Sequence, residues 1–376
     1  VYAAVTNFFF FACLHSFVLL PLYIQRLGGN EAEIGMIMGM YNASAIFCQP
    51  LVGAWVDRVG RRPFMLFGVS LAALSSIAFT LSASTGLFIL LRLLQGMAFS
   101  TFFVANYTLI VALAPPERRG WALGIFGISG LLATALAPLA GEWVIRGLGY
   151  RPFFLGATLL AGIALVMTFR IQEPGTAAGR GGHGVIPEPG DLLHLHMALA
   201  FFFGLGMGTT FTFLPTFAER LGVRNLSLFY TGYAGAAILV RALGGGLIDS
   251  LGRRAVIIPA MFIQAAASAI LAILAVLAGA PGVVPALPFL LLAGILSGSA
   301  HGFLYPALSA LLMDLTQESR RGQAVGIFSS VILSGNALGA MVFGYVAHGL
   351  GYGAMFGLLT LLLAWGFLLS LRLRRG

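Results

Sequence analysis

Long apolar runs alternate with short polar breaks along the whole chain. They fall at residues 1–25, 33–57, 63–84, 86–112, 121–145 and 150–171, and again at 192–218, 226–249, 255–279, 285–313, 323–347 and 351–372. A helix needs ~20 mostly apolar residues to cross a bilayer, and each run is of that order. One break is longer than the rest. "QEPGTAAGRGGHGVIPEPGD" is rich in Gly and Pro, has no apolar periodicity, and reads as a linker over 172–191. The pattern predicts an all-α integral membrane protein of twelve transmembrane helices. They form two six-helix bundles, 1–171 and 192–376, joined by that linker.

Composition agrees. The chain is 59% hydrophobic and only 9% charged, with a mean hydropathy of +0.96. A soluble fold of this length could not hide so much apolar surface, so the solvent for most of it is lipid. The opening run is too long for the core of a signal peptide and reads as a membrane helix. Cys13 and Cys48 both lie inside apolar runs, as small buried residues and not as a disulfide or metal pair. "HGV" in the linker and "LHLHM" at 193–197 are too sparse for a metal site, and none is expected.

The net charge of +9 does not signal nucleic acid. Every basic residue is Arg, in short clusters between apolar runs, as the positive-inside rule requires. With residue 1 near the cytoplasm, fourteen arginines fall in inner loops and the C-terminal tail and five in outer loops. That count places both termini in the cytoplasm, with a bacterial inner membrane the expected setting. Arg92 and Arg241 remain, inside predicted helices.

The two halves repeat. "RRGWALGIF" (118–126) returns as "RRGQAVGIF" (320–328), and "LGYRPFF" (148–154) as "LGYGAMF" (350–356), both shifted by 202. "RLG" (26–28) returns at 220–222, shifted by 194, and "GAWVDRVGRR" (53–62) returns as "GGLIDSLGRR" (245–254), shifted by 192. Two six-helix halves in parallel repeat suit a transporter with its site between them.

On these phrases the chain resembles the major facilitator superfamily over essentially its full length. "GAWVDRVGRRP" is similar to that family's G-x-x-x-D-R-x-G-R-R signature between helices 2 and 3, and "GGLIDSLGRR" to its echo between helices 8 and 9. "RLLQG" (92–96) resembles a second family motif, R-x-x-Q-G. Helix 5, "GIFGISGLLATALAPLAGE", is partly similar to the G-P-x-x-G-G pattern of drug/proton antiporters. Gly124, Pro138 and Gly141 stand where that pattern wants them; Ala133, Ala137 and Glu142 replace glycines. "SAHGFLYPALSALLMD" (299–314) also resembles helix 10 of sugar-efflux-like exporters.

The resemblance implies a conformational latch at the repeated phrase, made of Gly53, Asp57, Arg58, Gly60, Arg61 and Arg62, with Asp249, Gly252, Arg253 and Arg254 in the second half. A buried carboxylate needs a partner or a helix N-terminus. By pseudo-symmetry Asp57 should face Gly322 and Gln323, and Asp249 should face Gly120 and Trp121. The alternative is that these arginines only set topology.

The resemblance also implies a cavity lined by helices 1, 4, 7 and 10. Arg92, Gln95, Phe99, Phe103 and Asn106 share one face of helix 4 at helical spacing. Ser297, His301 and Tyr305 do so on helix 10, and Thr209, Thr212 and Thr216 on helix 7; helix 1 adds Asn7 and His15. An intramembrane arginine is expensive and by default functional, its alternative being a packing role. Arg241, eight residues before Asp249, either belongs to the cavity or to the latch. Gly35 and Gly39, and Gly294, Gly298 and Gly302, read as close helix packing.

All twelve carboxylates can be placed in loops or near helix ends, the deepest being Glu142 with Arg146 one turn away. With no central carboxylate, the candidates for proton coupling are His301, His15 and Glu142. A histidine's unperturbed pKa of ~6.5 lies near working pH. The expected protein is a monomeric secondary transporter without a cofactor. It exports a small amphipathic or anionic molecule against protons, by alternating access. An importer or facilitator of an organic anion is the alternative. A membrane enzyme is a distant one, since no nucleophile–base pair stands out. No G-x-x-x-x-G-K-[ST] loop offers ATP drive.

Overall fold

A computed structural model describes residues 2–81, 84–115, 118–173, 191–278, 285–316 and 321–373. The described residues are helical over most of each apolar run. α1 covers Tyr2–Arg26. Then follow α2 Glu31–Val59, α3 Arg61–Ala78, α4 Thr85–Leu113, α5 Arg119–Leu148 and α6 Tyr150–Phe169. The second set is α7 Asp191–Arg220, α8 Ser227–Leu251, α9 Arg253–Leu277 and α10 Ala286–Leu315. The last helical stretch, Arg321–Ser370, is two helices meeting at the non-helical Gly351. We name them α11 (321–350) and α12 (352–370).

Local chemistry explains the details. α1 tightens into a 3-10 turn at Phe17–Leu19, where Pro21 has no N–H to give the Phe17 carbonyl. α3 ends at Ala78, short of the expected residue 84. Ser84 is non-helical, and its hydroxyl accepts the Leu87 N–H (3.3 Å) as the N-cap of α4.

Among the described residues six glycines have positive φ: Gly28, Gly60 and Gly149, then Gly222, Gly252 and Gly351. They pair at shifts of 194, 192 and 202, the shifts of the repeated phrases. Each sits at the same turn of its half, in a conformation that a Cβ resists. Beside two of these pairs stand matching cation–π contacts: Arg26 over Tyr150 at 5.8 Å, and Arg220 over Tyr352 at 5.7 Å. The repeat is therefore one of turn geometry and side-chain contact as well as of sequence.

Contacts divide the chain into two units. The first holds residues 1–27 and 40–181; the second holds 28–39 and 182–376. In the first, α4 packs on α3, and α1 packs on α5 and α6. An aromatic cluster of Phe17, Phe79, Phe88 and Phe154 fills its interior, with ring centroids 4.9–5.9 Å apart. In the second, Phe203, Ile257, Met261, Leu304, Leu308 and Phe328 form the heart of the core. The first turns of α2 pack there on α11, where a Cβ on Gly35 would run into the Ala340 carbonyl and one on Gly39 into Met341. Large apolar side chains such as Phe47, Trp143 and Leu243 are exposed, as helices solvated by lipid require.

The repeat recurs in the packing. A Cβ on Gly96 would overlap the Tyr41 carbonyl, and one on Gly298 the Tyr233 carbonyl. Gly96 and Gly298 are related by the 202 shift, Tyr41 and Tyr233 by the 192 shift. In each unit, close backbone contact sets a tyrosine of one helix against the next.

Candidate functional site

In the first unit that tyrosine covers an arginine. Arg92 on α4 is 5% exposed, with its guanidinium 4.5 Å from the centre of the Tyr41 ring. Its Nη1 donates to Gln95 Oε1 at 2.8 Å, one turn on. An arginine in mid-membrane costs ~2.5–3.5 kcal/mol on insertion scales. A desolvated cation–π contact offsets about 2 kcal/mol and a charge-assisted hydrogen bond about 1.5–3 kcal/mol. Arg92 is thus roughly balanced within its own unit. Its Nε and the Gln95 Nε2 are nonetheless buried without an acceptor.

Aromatic rings line the same region. Phe99 lies 5.6 Å from Tyr41 and stacks on Phe103 at 5.3 Å. Phe11 of α1 meets both edge-on, and His15 as well. His15 Nδ1 is hydrogen-bonded to the Thr134 hydroxyl at 2.9 Å. The Asn106 amide donates to Asn7 Oδ1 (3.3 Å) and to the Ala3 carbonyl (3.4 Å), and Asn7 donates to Ser129 at 2.8 Å. Asn106 therefore ties α4 to α1. Glu142 is buried and takes two hydrogen bonds from Arg146, at 2.6 and 3.1 Å.

The second unit repeats the ring arrangement with more polar side chains. His301 stands where Phe99 stands in the first half, and Tyr305 where Phe103 stands. His301 and Tyr305 stack with centroids 6.2 Å apart, and His301 Nδ1 is hydrogen-bonded to the Tyr233 hydroxyl. Arg241 lies over the Tyr305 ring at 6.0 Å, its Nε buried and without an acceptor. A cation–π contact at that distance contributes well under the ~2 kcal/mol of a close, desolvated one, so Arg241 is not balanced as Arg92 is. Behind Tyr233 lies a cavity of about 20 Å³, lined among others by Met207, Gln264, Ser268 and Ser297. It has room for one water, and Gln264 Oε1 is buried there without a donor.

On α7, Thr209 donates to the carbonyls of Leu205 (2.9 Å) and Gly339 (3.1 Å). Thr216 accepts from Tyr352 at 2.7 Å. Both hydroxyls are engaged inside the unit, and Thr212 is buried as well.

At the repeated phrase, the side chains of Asp57, Asp249 and Gln323 lie outside the described residues, and with them the expected latch contacts. Gly53 has open space around it, Arg58 is exposed and Arg254 half-buried. Arg61 and Arg62, after Gly60, lead α3, and their backbone N–H groups donate to the Glu173 carboxylate at 2.6 and 3.2 Å. The Arg61 guanidinium lies 3.7 Å from it, and Arg62 Nη2 donates to the Phe169 carbonyl at 2.5 Å. Arg253, after Gly252, leads α9 and pairs with Asp314 at 3.1 Å. Glu173 falls in the segment that the sequence marks as linker, and its carboxylate caps α3.

Sequence reasoning missed Tyr41, Tyr233 and Glu173. The first two carried a signal, since tyrosine recurs at the shift of the repeated phrase. Glu173 carried none, because its partners lie more than a hundred residues away.

Comparison with known proteins sets these sites in context. The family profile described as "Major Facilitator Superfamily" matches residues 2–287 and, in a second match, 197–376. A "Multidrug resistance protein MdtG" of Salmonella paratyphi A is 27% identical over 365 residues, covering 90% of this chain and 85% of that protein. Its namesake in Dickeya zeae is 26% identical over 377 residues, covering 95% and 90%. The nucleoside transporter NupG has a similar structure, with a TM-score of 0.79 at 16% identity and coverage of 98% of this chain and 97% of that one. The human organic anion transporter MFSD10 (TETRAN) aligns with a TM-score of 0.70 at 20% identity, covering 98% of both chains. At those identities the two structures establish the fold alone.

Proposed function

The chain belongs to the Major Facilitator Superfamily, and from that premise we propose that this multi-pass membrane transporter exports a small amphipathic solute, anionic or strongly polar at one end, in exchange for protons. The observation that carries the solute class is Arg92. Its buried Nε, and the Gln95 Nε2 one turn on, are donors without acceptors. Tyr41 covers the guanidinium, and an aromatic row runs on from it through Phe99, Phe103 and Phe11. Such a row beside unpaired donors suits a solute with an acceptor-rich head and an apolar body. Arg92 grips the head, Gln95 adds a donor, and the rings take the body when their cover parts.

The export direction is supported by the MdtG relatives, whose names are those of multidrug resistance proteins. The chain works by alternating access, its repeats opening the bound solute first to one face of the membrane and then to the other. Both termini are cytoplasmic, by the arginine count, and the protein acts as a monomer in the bacterial inner membrane. Of the coupling candidates, His301 is best placed. It is the ionisable member of the second unit's ring stack, and its Nδ1 is held by Tyr233. His15, held by Thr134, comes second. Glu142 comes third, because Arg146 already occupies it.

The direction is tested in proteoliposomes with the protein in known orientation. Under an imposed pH gradient, a panel of aromatic carboxylates and neutral aromatic drugs should move outward as protons move inward. Net movement of solute with the proton makes the protein an importer, and movement indifferent to the gradient makes it a facilitator. For the site, Arg92→Ala should weaken binding of the carried solute by ~1.5–3 kcal/mol. Arg92→Lys should recover part of this, since the planar fork is lost. Unchanged affinity in both makes Arg92 structural.

A further inference from the structure

Arg241 lies inside α8 with no carboxylate recorded against it among the described residues. It stands ten residues before α8 ends at Leu251, about 15 Å along the axis. From its other side, Ser227 is fourteen residues away, about 21 Å. Asp249 is two turns further on the same helix, and its side chain lies outside the described residues. Its Nε is buried without an acceptor, and its described contact is the face of Tyr305. Arg253 in the same unit has Asp314, and Arg92 in the other has Gln95 and a close Tyr41. A half-buried guanidinium inside a membrane helix, with no described carboxylate beside it, opposes folding. A feature that opposes folding and sits among aromatic rings points to a ligand.

The surroundings state which ligand. Tyr305 stacks on His301 and lies 6.1 Å from Phe328, and His301 meets Phe203 edge-on at 5.3 Å. Together these rings form a mostly apolar aromatic bed beside one guanidinium. We propose that Arg241, with the Tyr305–His301 stack, is an anion-binding site of the second unit, for an amphipathic organic anion carrying a carboxylate, sulfonate or phosphate. The planar fork of Arg241 takes the anionic head, and the ring bed takes the body. The proposal rests on the transport reading above and adds to it an anchor that does not involve Arg92.

The test uses the purified full chain in phosphatidylcholine nanodiscs, in gluconate buffer. 2-Naphthoate is the probe and 2-naphthamide its uncharged control, with affinity read by titration calorimetry. Wild type should bind the naphthoate more tightly. Arg241→Met should lower naphthoate affinity roughly ten- to a hundredfold and leave naphthamide binding unchanged. Arg241→Lys should restore part of the loss. Arg241→Met should also raise the melting temperature of the ligand-free protein, because it removes an uncompensated charge; a packing arginine would lower it.

Wild type that binds neither probe, or both equally, overturns this site and the anionic-solute reading together. An anion preference kept in Arg241→Met but lost in Arg92→Met overturns this site alone. If chloride in place of gluconate abolishes the preference, the occupant is an inorganic anion and the proposal fails. It fails equally if phosphatidylglycerol nanodiscs stabilise wild type but not Arg241→Met while naphthoate does neither, since the occupant is then a lipid headgroup.

Discussion

Gly96 and Gly298 support a prediction that can be worked through in both units at once. A methyl group on either would overlap a backbone carbonyl, that of Tyr41 or of Tyr233. A carbonyl inside a helix cannot swing away as a side chain can, so the two helices must separate. Alanine adds ~0.5–1 kcal/mol of helix propensity, whereas overpacking costs ~1–3 kcal/mol or more. The net expectation for Gly96→Ala and for Gly298→Ala is a loss of about 1–2 kcal/mol. Gly162 and Gly235 are internal controls, being helical with nothing within 4 Å of the added methyl. Their alanine variants should gain about 0.5–1 kcal/mol. The same separation carries the Tyr41 ring away from Arg92 and the Tyr233 hydroxyl away from His301. Gly96→Ala should therefore weaken solute binding, and Gly298→Ala should disturb proton coupling. Thermal unfolding in one detergent ranks the four variants, and solute titration gives the second readout. A Gly96→Ala or Gly298→Ala protein as stable as the Gly162→Ala and Gly235→Ala controls would refute the packing argument.

Four further variants carry expectations of their own. Glu173→Ala removes the acceptor for two N–H groups of α3 and should cost about 1–2 kcal/mol in thermal unfolding; an unchanged melting temperature shows that water replaces the cap. His301→Gln should abolish pH-gradient-driven accumulation and spare downhill exchange, while Tyr233→Phe, which keeps the ring but loses the hydroxyl, should shift the pH dependence of transport. Normal accumulation by His301→Gln removes that residue from coupling. Asp57→Asn should lose most transport with solute binding intact, and wild-type rates in that variant would reduce the repeated phrase to a topology signal.

Much of the fold was legible in the sequence because two of its determinants act through sequence alone. Lipid demands long apolar runs, and positive-φ turns demand glycine. "RLG", "GRR" and "LGY" therefore marked the corners before any contact was known. The site was only partly legible. Arg92 and His301 stood out because a polar group in an apolar run needs a reason. Tyr41 and Tyr233 did not stand out, since a tyrosine in a membrane helix is unremarkable until a guanidinium or an imidazole lies against it. Spacing gives a helix face but not what that face meets: Thr209 and Asn106, expected among solute contacts, both hydrogen-bond to neighbouring helices. Glu173 was hidden by distance along the chain.

The corners at Gly60, Gly149, Gly252 and Gly351 have a practical consequence for mapping the protein. At each, two membrane helices are separated by a single residue. No loop is present there to receive an epitope, a reporter fusion or a protease site, and an insertion would have to break both helices at once. Reporters of sidedness belong in the longer connections instead, at 27–30 and 221–226, which the arginine pattern puts outside, and at 170–190, which it puts inside. Those three sites alone are enough to read the orientation of the chain. A tag at 221–226 that is reached from outside the cell, with one at 170–190 that is not, fixes both termini in the cytoplasm; the opposite labelling inverts the topology.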